Sequence, residues 1–373
     1  MFKIAHMADI HIRNLKYHEE YRIVFSNLFE SLLDQQPDYI TVCGDIAHTK
    51  TQLSPEYFQL CLEYLSGLAN IAPTIIIAGN HDGNLKNADR QDAVTPIVNA
   101  LKHPNLHYLK NSGEFKPKNG VCFNVLSIFD RDNWVKPTSP EDINIALYHG
   151  AMMGSKTGSN WTMDQGDDNI SIFEDFDYAM LGDIHRQQEL DSEGRIRYSG
   201  SLIQQKFSES PLKGYLLWEI ESKDDFRVKK VNLANPRPFI TIKLNPDGSL
   251  PSGTHAPRNC RLRILSSTNL PSDKLRKAKA AAEAKWRPYS ITTINGKETH
   301  LENDGSYANV VLKEDLRDLR VQETYIKDYL SGMELDNSVI DKVLDHNKKY
   351  DIIAQQNEEV SRNVVWKIKE VEW

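Results

Sequence analysis

Hydrophobic residues in the first half of the chain alternate between two spacings. Short apolar runs are typical of buried strands, and the longer segments between them repeat apolar residues every three or four positions, as on one face of a helix. Strands that alternate with helices predict a layered α/β sandwich with helices outside its sheets. The predicted strands are Phe2–Met7, Tyr39–Cys43, Thr74–Ala78, Val121–Phe129, Ile143–Tyr148 and Tyr178–Leu181. The predicted helices are Glu19–Leu33 and Pro55–Leu68.

The pattern changes at the segment Leu233–Pro238, which contains two prolines and ends the alternation. A strand-like run beginning at Phe239, a second strand, a basic helix over Ser272–Trp286 and a further strand follow, which predicts a small α+β domain. The remaining residues are charged and helical in pattern. We therefore predict an α/β domain over residues 1–232, a capping domain over residues 233–305 and a helical tail over residues 306–373.

The composition favours a reduced protein with no membrane partner. No apolar run approaches the roughly 18 residues of a membrane span, and the N-terminus lacks a basic-then-apolar signal sequence. The cysteines are widely spaced and form no Cys-x-x-Cys pair, as is typical of reduced core cysteines. We therefore expect a cytoplasmic protein.

Charge is distributed unevenly along the chain. The whole chain has a net charge of −7, yet residues 231–300 contain twelve Lys or Arg against four Asp or Glu, which is +8 and leaves −15 for the rest. Such a basic segment is either a solvated surface or a module that follows a phosphate backbone, and the sequence leaves both interpretations open. The candidate phosphate contacts on the predicted basic helix are Lys274, Arg276 and Lys277.

Five short polar motifs follow predicted strands in the α/β domain. They combine carboxylates, imidazoles and one amide, which are ligands suited to a pair of divalent ions. Because side chains from several loops converge beyond the carboxyl ends of such strands, we expect these groups to lie close together. The motifs are Asp9-Ile10-His11, Gly44-Asp45, Gly79-Asn80-His81-Asp82, His149-Gly150 and Gly182-Asp183-Ile184-His185.

The residue types predict a division of roles among the ligands. Asp9 and His11 are separated by one residue and can hold one ion together. Asp45 can bridge two ions through its two carboxylate oxygens, and Asn80 can supply a neutral oxygen. His149 and His185 would complete the coordination shells as neutral imidazoles. The sequence therefore predicts two divalent metal ions that promote attack of water on a phosphoester.

These motifs resemble those of the calcineurin-like metallophosphoesterases, whose pattern is Asp-x-His, Gly-Asp, Gly-Asn-His-Asp/Glu, a lone His and Gly-His-x-His. The resemblance covers residues 1–220 and implies a β-sandwich flanked by helices. It assigns one ion to Asp9, His11, Asp45 and His185. It assigns the other to Asp45, Asn80, His149 and Asp183. Asp183 stands where the family usually has histidine, so we expect an oxygen-rich position that favours Mn²⁺ or Mg²⁺ over Zn²⁺.

Within this superfamily the chain is similar to the SbcD-type nucleases of DNA repair and recombination, including those of T-even-like phages. The similarity rests on His48, three residues after Asp45, on the run Tyr198–Leu202 and on the order of nuclease domain, cap and tail. It implies a Mn²⁺-dependent exonuclease or endonuclease whose cap contacts DNA and whose tail binds an ABC-type ATPase with a long coiled coil. It also implies a homodimer, in the host cytoplasm if the chain is of phage origin.

The same resemblance assigns roles to residues beside the metal ligands. His81 would face the phosphate and protonate or stabilise the leaving 3′ oxygen, and His48 would orient the phosphate or the DNA strand. Asp82 would hold His81. Basic side chains near the motifs are candidate DNA contacts, although most exposed basic residues are only solvated. These candidates are Arg13, Arg186 and Lys206.

Two other functions are compatible with the sequence. The core motifs are shared across the superfamily, so the substrate could be a phosphoprotein or a nucleotide. Asp183 could instead weaken the second metal position and leave a DNA-end-binding scaffold with little catalysis. The first alternative keeps the metal site and changes its substrate, whereas the second keeps DNA and removes most of the chemistry.

Overall fold

The computed structural model describes residues 1–51, 53–118, 120–158, 161–163, 166–296, 341–342 and 344–345. The described residues up to 296 belong to one compact unit. The predicted tail over residues 306–373, with its expected ATPase contacts, lies almost entirely outside the described residues. None of the described helices is long and apolar enough to cross a membrane.

Two six-stranded sheets face each other in the α/β part. The first contains β1 (Phe2–Met7), β2 (Tyr39–Cys43), β3 (Thr74–Ile77), β4 (Leu106–Leu109), β11 (Lys213–Ile220) and β12 (Phe226–Leu233). The second contains β5 (Gly113–Lys118), β6 (Val121–Leu126), β7 (Ile143–His149), β8 (Tyr178–Gly182), β9 (Gln188–Glu189) and β10 (Ile196–Tyr198). Their orders are β12-β11-β1-β2-β3-β4 and β5-β6-β7-β8-β10-β9. Strands β1 to β4 are mutually parallel, as are β6 to β8, so each set ends in loops at one edge.

Helices pack against the outer face of the first sheet. These are α1 (His18–Gln35), α2 (Pro55–Ile71) and the short α3 (Thr95–Leu101), whose apolar sides join one buried cluster with β1 and β2. Helix α2 begins where the Ser54 hydroxyl accepts a hydrogen bond from the Tyr57 backbone N–H at 3.2 Å, and a proline occupies its first turn. Short 3₁₀ helices lie at Arg131–Asn133 and Ile170–Phe173.

An apolar layer fills the space between the two sheets, with Ile75 from the first and Met180 from the second among its members. The buried imidazole of His6, on β1, lies within this layer. Its Nε2–H donates to the Leu181 carbonyl of β8 at 3.1 Å, and its Nδ1 accepts from Trp218 Nε1 at 3.4 Å. A neutral histidine therefore connects the two sheets.

A third, parallel sheet contains β13 (Phe239–Lys243), β14 (Arg261–Ser266) and β15 (Ser290–Asn295). Helix α4 (Ser272–Trp286) buries a narrow apolar side in the core of this unit and leaves most other positions exposed. The predicted order of strands and basic helix is confirmed. Gln204 connects this sheet to the α/β part. Its side chain accepts from the Phe239 backbone N–H of β13 at 2.8 Å and donates to the Phe239 carbonyl at 3.0 Å.

The predicted strands and helices of the α/β part are confirmed with small shifts at their ends. Strand β6 ends at Leu126 rather than Phe129, because the Ser127 hydroxyl accepts from the Phe129 N–H and closes a turn. The sequence pattern does not predict the β11–β12 hairpin, in which Leu216–Ile220 of β11 pair antiparallel with Phe2–His6 of β1. All four cysteines are buried and free, as expected.

Candidate metal centre

The loops after the parallel strands meet at one edge of the sandwich. The loops after β1 and β2 are joined by backbone hydrogen bonds from Asp9 N to Gly44 O at 3.1 Å and from His11 N to Asp45 O at 2.9 Å. The loop after β8 joins them, because the Asp183 N–H donates to the Asp9 carboxylate at 3.0 Å. Loops from both sheets therefore bring the predicted ligands together.

Several of these residues adopt the left-handed backbone region that non-glycine residues rarely occupy. The φ angles are 55° at Asp9, 49° at His11, 57° at Asp45 and 99° at Asp183. Such conformations cost of order 1–3 kcal/mol each and concentrate at functional sites, where surrounding contacts hold them in place. At Gly79 even a methyl group would lie 2.2 Å from the Asp45 Oδ1, so the close approach of these two loops requires glycine.

One group of ligand atoms gathers around Asp9, His11 and His185, within 4.8 Å of one another. The Nε2 atoms of His11 and His185 are 2.9 Å apart, and the His11 Nε2 is 3.5 Å from the Asp45 Oδ2. Two imidazole nitrogens and two carboxylates directed at one small volume form a ligand set suited to a divalent cation.

A second group lies on the other side of Asp45. The His149 Nε2 is 3.3 Å from the Asp45 Oδ1 and 3.7 Å from the Asp183 Oδ1, and the Asn80 Nδ2 donates to the same Asp183 oxygen at 3.2 Å. The two oxygens of Asp45 therefore face the two groups separately, as a bridging carboxylate does. The structure brings all seven predicted metal ligands together.

Buried polar atoms without partners show that these residues fit a cation. The His149 Nε2 and the Asn80 Oδ1 are inaccessible to solvent and have no hydrogen-bond partner among the described residues. The His149 Nδ1–H donates to the Cys43 carbonyl at 2.7 Å, which leaves the Nε2 lone pair directed into the second group. Because burying unsatisfied polar atoms costs free energy, a divalent cation held by these two atoms would account for their burial.

The electrostatics of the cluster also favour bound cations. Burial raises the pKa of Asp9 to about 6, although His185 partly offsets this rise. Burial likewise raises the pKa of Asp183. At Asp45 the same effect of burial is outweighed by His149 and His11, so its pKa lies below the usual range. Carboxylates this close repel one another as anions, and divalent cations would relieve that repulsion.

Asp82 has a different role from the one predicted. Its buried carboxylate accepts from the backbone N–H groups of Gly79 at 2.9 Å, Asp45 at 2.9 Å and Ala47 at 2.8 Å. It does not hold His81, because a turn closed by the Asp82 N–H and the Gly79 carbonyl at 3.0 Å brings this carboxylate to the backbone of the loop after β2. Burial, reinforced by Asp45, raises the pKa of Asp82 to about 7. Asp82 therefore joins the two loops that carry the bridging aspartate and Asn80.

The predicted catalytic histidines lie beside the first group, on its more exposed side. The ring centroid of His81 is 4.8 Å from that of His11, and the His81 Nδ1–H donates to the His48 carbonyl at 2.7 Å. The rings of His48 and His81 stack at 6.0 Å. An Arg13 guanidinium nitrogen donates to the His48 Nε2 at 2.9 Å, so Arg13 reaches the cluster through His48.

The other predicted DNA contacts fall into two sets. Arg186 follows His185 directly and Lys206 lies three residues before Glu209; both side chains are half-buried. Lys274, Arg276 and Lys277 are exposed on α4. The sets therefore belong to different elements of the same compact unit.

Glu209 is a residue of this site that the sequence did not indicate. It lies between β10 and β11, and its Oε1 accepts from the His185 Nδ1–H at 2.8 Å. Lys213, four residues later, contacts the other carboxylate oxygen at 2.9 Å. In sequence this spacing is indistinguishable from a common surface ion pair, so only the fold reveals the contact with the candidate ligand His185.

Comparisons with known proteins agree with this architecture. The family model for calcineurin-like phosphoesterases matches residues 2–187. The chain is also 34% identical over 374 residues to a protein of Acanthamoeba polyphaga mimivirus described as "Uncharacterized protein R555". That match covers 95% of this chain but only 27% of the relative, so the chain spans about a quarter of the relative's length. Residues 2–187 of the chain therefore belong to the calcineurin-like phosphoesterase family.

Proposed function

We propose that this protein is a Mn²⁺-dependent DNA nuclease of the SbcD type, with Mg²⁺ as an alternative ion. It would hydrolyse phosphodiester bonds as an exonuclease and endonuclease in double-strand-break repair and recombination. The observation that carries the proposal is the pairing of two histidines, His48 and His81, with the ligand cluster on its more exposed side. This placement suits a substrate whose phosphate enters from that side.

The chemistry is divided between the ions and the side chains of this chain. Divalent cations, when bound, supply positive charge that neutralises the phosphate and promotes attack by water. His81 is held by the His48 carbonyl through Nδ1, which leaves its Nε2 for the substrate. From there a protonated Nε2 can deliver a proton to the departing oxygen. The hydrogen bond from Arg13 fixes the orientation of the His48 ring, and a fixed ring can orient the phosphate.

The basic side chains support DNA as the substrate. Lys274, Arg276 and Lys277 extend from α4 into solvent, in the segment with a net charge of +8. Part of that charge is used internally, because Arg237 and Arg261 pair with glutamates of α1. Without these two arginines the segment still has a net positive charge. Positive side chains suit a phosphate backbone, because their binding releases counterions from the DNA.

A separate ATPase and a second copy of this chain are the proposed partners. The tail over residues 306–373 would bind an ABC-type ATPase with a long coiled coil, as in the SbcD-type nucleases that the chain resembles. Removing the residues after Glu323 should abolish ATPase binding and leave Mn²⁺-dependent cleavage by the remaining protein. Co-purification with the ATPase tests the first outcome, and retained binding would contradict the assignment.

A cleavage assay with matched variants tests the function. Full-length protein with Mn²⁺ should degrade labelled duplex or single-stranded DNA, alone or with its ATPase. His81→Ala should slow cleavage by roughly 10²- to 10⁴-fold, the range for loss of a general acid. His107→Ala is the control, because that ring packs on Phe115 at the edge of the sheets. Absence of DNA cleavage under both conditions would overturn the proposal.

Two alternative outcomes have distinct signatures in the same assay. Faster hydrolysis of a phosphopeptide or nucleotide than of DNA would identify another substrate for the same site. DNA binding without cleavage, unchanged by His81→Ala, would identify a scaffold whose second metal position is weakened by Asp183. The buried His149 Nε2 and Asn80 Oδ1, which have no hydrogen-bond partner in the part of the chain that the structure describes, favour a functional second position over the scaffold.

A further inference from the structure

The two histidines that serve as inner ligands of the two metal positions are held in chemically different ways. The His149 Nδ1–H donates to a neutral acceptor, the Cys43 carbonyl, at 2.7 Å. The His185 Nδ1–H donates to an anionic acceptor, the Glu209 carboxylate, at 2.8 Å. Hydrogen bonds to a charged acceptor are stronger than hydrogen bonds to a neutral one. The two metal positions therefore differ in the charge of the group that holds each histidine.

Glu209 is itself rigidly held. Its side chain is almost completely buried, at 1% exposure, and its second oxygen accepts from the Gln205 backbone N–H at 3.0 Å. The Lys213 ammonium lies 2.9 Å from that oxygen and also donates to the His185 carbonyl and to the Ser201 hydroxyl, both at 2.7 Å. The carboxylate, the ammonium and the histidine backbone thus form one closed network.

This network determines which nitrogen of His185 is available to an ion. A carboxylate can only accept, so the proton lies on Nδ1 and the Nε2 lone pair points away from Glu209. That Nε2 lies 2.9 Å from the His11 Nε2, in the group that also contains Asp9. Glu209 therefore holds His185 in the tautomer and orientation that a metal ligand requires.

We propose that Glu209 is a positioning residue that makes the ion beside Asp9, His11 and His185 the tighter of the two. An anionic partner raises the basicity of a ligating imidazole, and removing such a partner typically costs 10- to 100-fold in metal affinity. The ion beside Asn80, His149 and Asp183 has only a carbonyl behind its histidine. This inference rests on the two-metal site of the proposed function and does not depend on the identity of the substrate.

Calorimetric titration of the full-length protein with Mn²⁺ tests the proposal without any substrate. The wild type should show one tight and one weaker binding event. Glu209→Gln keeps an oxygen that can accept from the His185 Nδ1–H but removes the charge, so the tight event should weaken by about 10- to 100-fold. The weaker event should be unchanged. Electron paramagnetic resonance of bound Mn²⁺ would count the ions independently.

Two further variants separate positioning from folding. Glu20→Gln is the matched control, because Glu20 is also buried, at 3% exposure, and pairs with Arg261 away from the metal ligands. It should lower thermal stability and leave both Mn²⁺ affinities unchanged. The double variant Glu209→Gln with Lys213→Gln removes both charges of the buried pair. If the single variant does not fold, the double variant should show the same loss of the tight event.

The outcomes distinguish this inference from the proposed function. Two Mn²⁺ affinities equal to those of the wild type in folded Glu209→Gln would overturn the positioning role, even if DNA is cleaved. Equal weakening of both events would also overturn it. A selective loss of the tight event would support it, even if the wild-type protein cleaves no DNA and the nuclease proposal fails.

Discussion

The charged residues at the strand ends and those on helix α4 are treated in opposite ways by the fold. At the strand ends, Asp9, Asp45 and Asp82 are buried, and each carboxylate has defined partners. On α4, Lys274 and Arg276 are exposed. The effect of a buried charge depends on its specific partners, because removing one partner leaves the other charge buried and uncompensated. An exposed charge acts mainly through its contribution to the total, because solvent and salt screen it.

The basic segment contains examples of both treatments. Arg261 is 9% exposed, pairs with Glu20 of α1 and lies 4.3 Å from the Tyr17 ring centroid. Arg237 contacts the same glutamate at 3.2 Å. These two arginines fasten the third sheet to α1 and are structural. The net charge of +8 over residues 231–300 therefore overstates the positive charge that this segment can present to a phosphate backbone.

The largest effect is expected at Asp45, whose two oxygens face the two candidate metal positions. Asp45→Asn should lower Mn²⁺-dependent hydrolysis of a small phosphodiester by at least about 10³-fold, because one oxygen faces each group and charge stabilisation by such ions is worth several kcal/mol. Steady-state kinetics would measure the fall, with circular dichroism to confirm folding. Activity above a tenth of wild type would refute the bridging role.

The buried neutral histidine between the sheets should make stability depend on pH. Burial lowers the pKa of His6 to about 3, and its bond to Leu181 offsets this only in part. Because the unfolded chain binds this proton below about pH 6.5, stability is lost as pH falls from 6.5 towards 3. From pH 7 to pH 5 the loss should be about 2 kcal/mol.

Urea unfolding of the His6→Gln variant at both pH values isolates this contribution. Glutamine can donate to the Leu181 carbonyl and accept from Trp218 without titrating. The variant should therefore lose about 2 kcal/mol less stability than the wild type on acidification. His255→Gln, at an exposed loop position, should follow the wild type. An identical pH response in His6→Gln and the wild type would rule out this source.

A smaller effect is expected at the residue that departs from the family pattern. Asp183→His replaces an oxygen ligand with a softer nitrogen, so activity with Zn²⁺ relative to Mn²⁺ should rise by about tenfold. Asp167→His is a suitable control, because the Asp167 carboxylate accepts from the Ala151 N–H beside the site. Metal-dependent rates for both variants test this, and an unchanged ratio in Asp183→His would exclude Asp183 as a ligand.

The smallest effect is expected on α4. Lys274→Ala should weaken DNA binding slightly and uniformly across sequences, and should reduce the dependence of log Kd on log salt by about one unit. Hydrolysis of a small phosphodiester should be unchanged. Binding measured at several salt concentrations tests this. A loss as large as that at Asp45 would show that the exposed and buried charges are not treated differently.

Much of this protein follows from local sequence. The apolar runs predict β1, β2, β3 and β7 nearly to the residue, because each strand buries both faces and so forms a continuous hydrophobic run. The candidate metal motifs are equally local, since each candidate ligand lies at the end of a strand or in the loop that follows it. The α/β class and the seven clustered candidate ligands could therefore be predicted from residue types and their order.

Only the tertiary structure shows which residues form hydrogen bonds with those candidate ligands. The Glu209 carboxylate meets His185 across 24 positions of sequence, and Asp82 meets Asp45 across 37. No periodicity encodes such contacts, because they depend on how separate loops pack rather than on the spacing within one element. The same holds for the β11–β12 hairpin, whose place beside β1 is set by long-range pairing. The sequence by itself determined the candidate ligands and their order, and only the packing of separate loops decided which residues contact them.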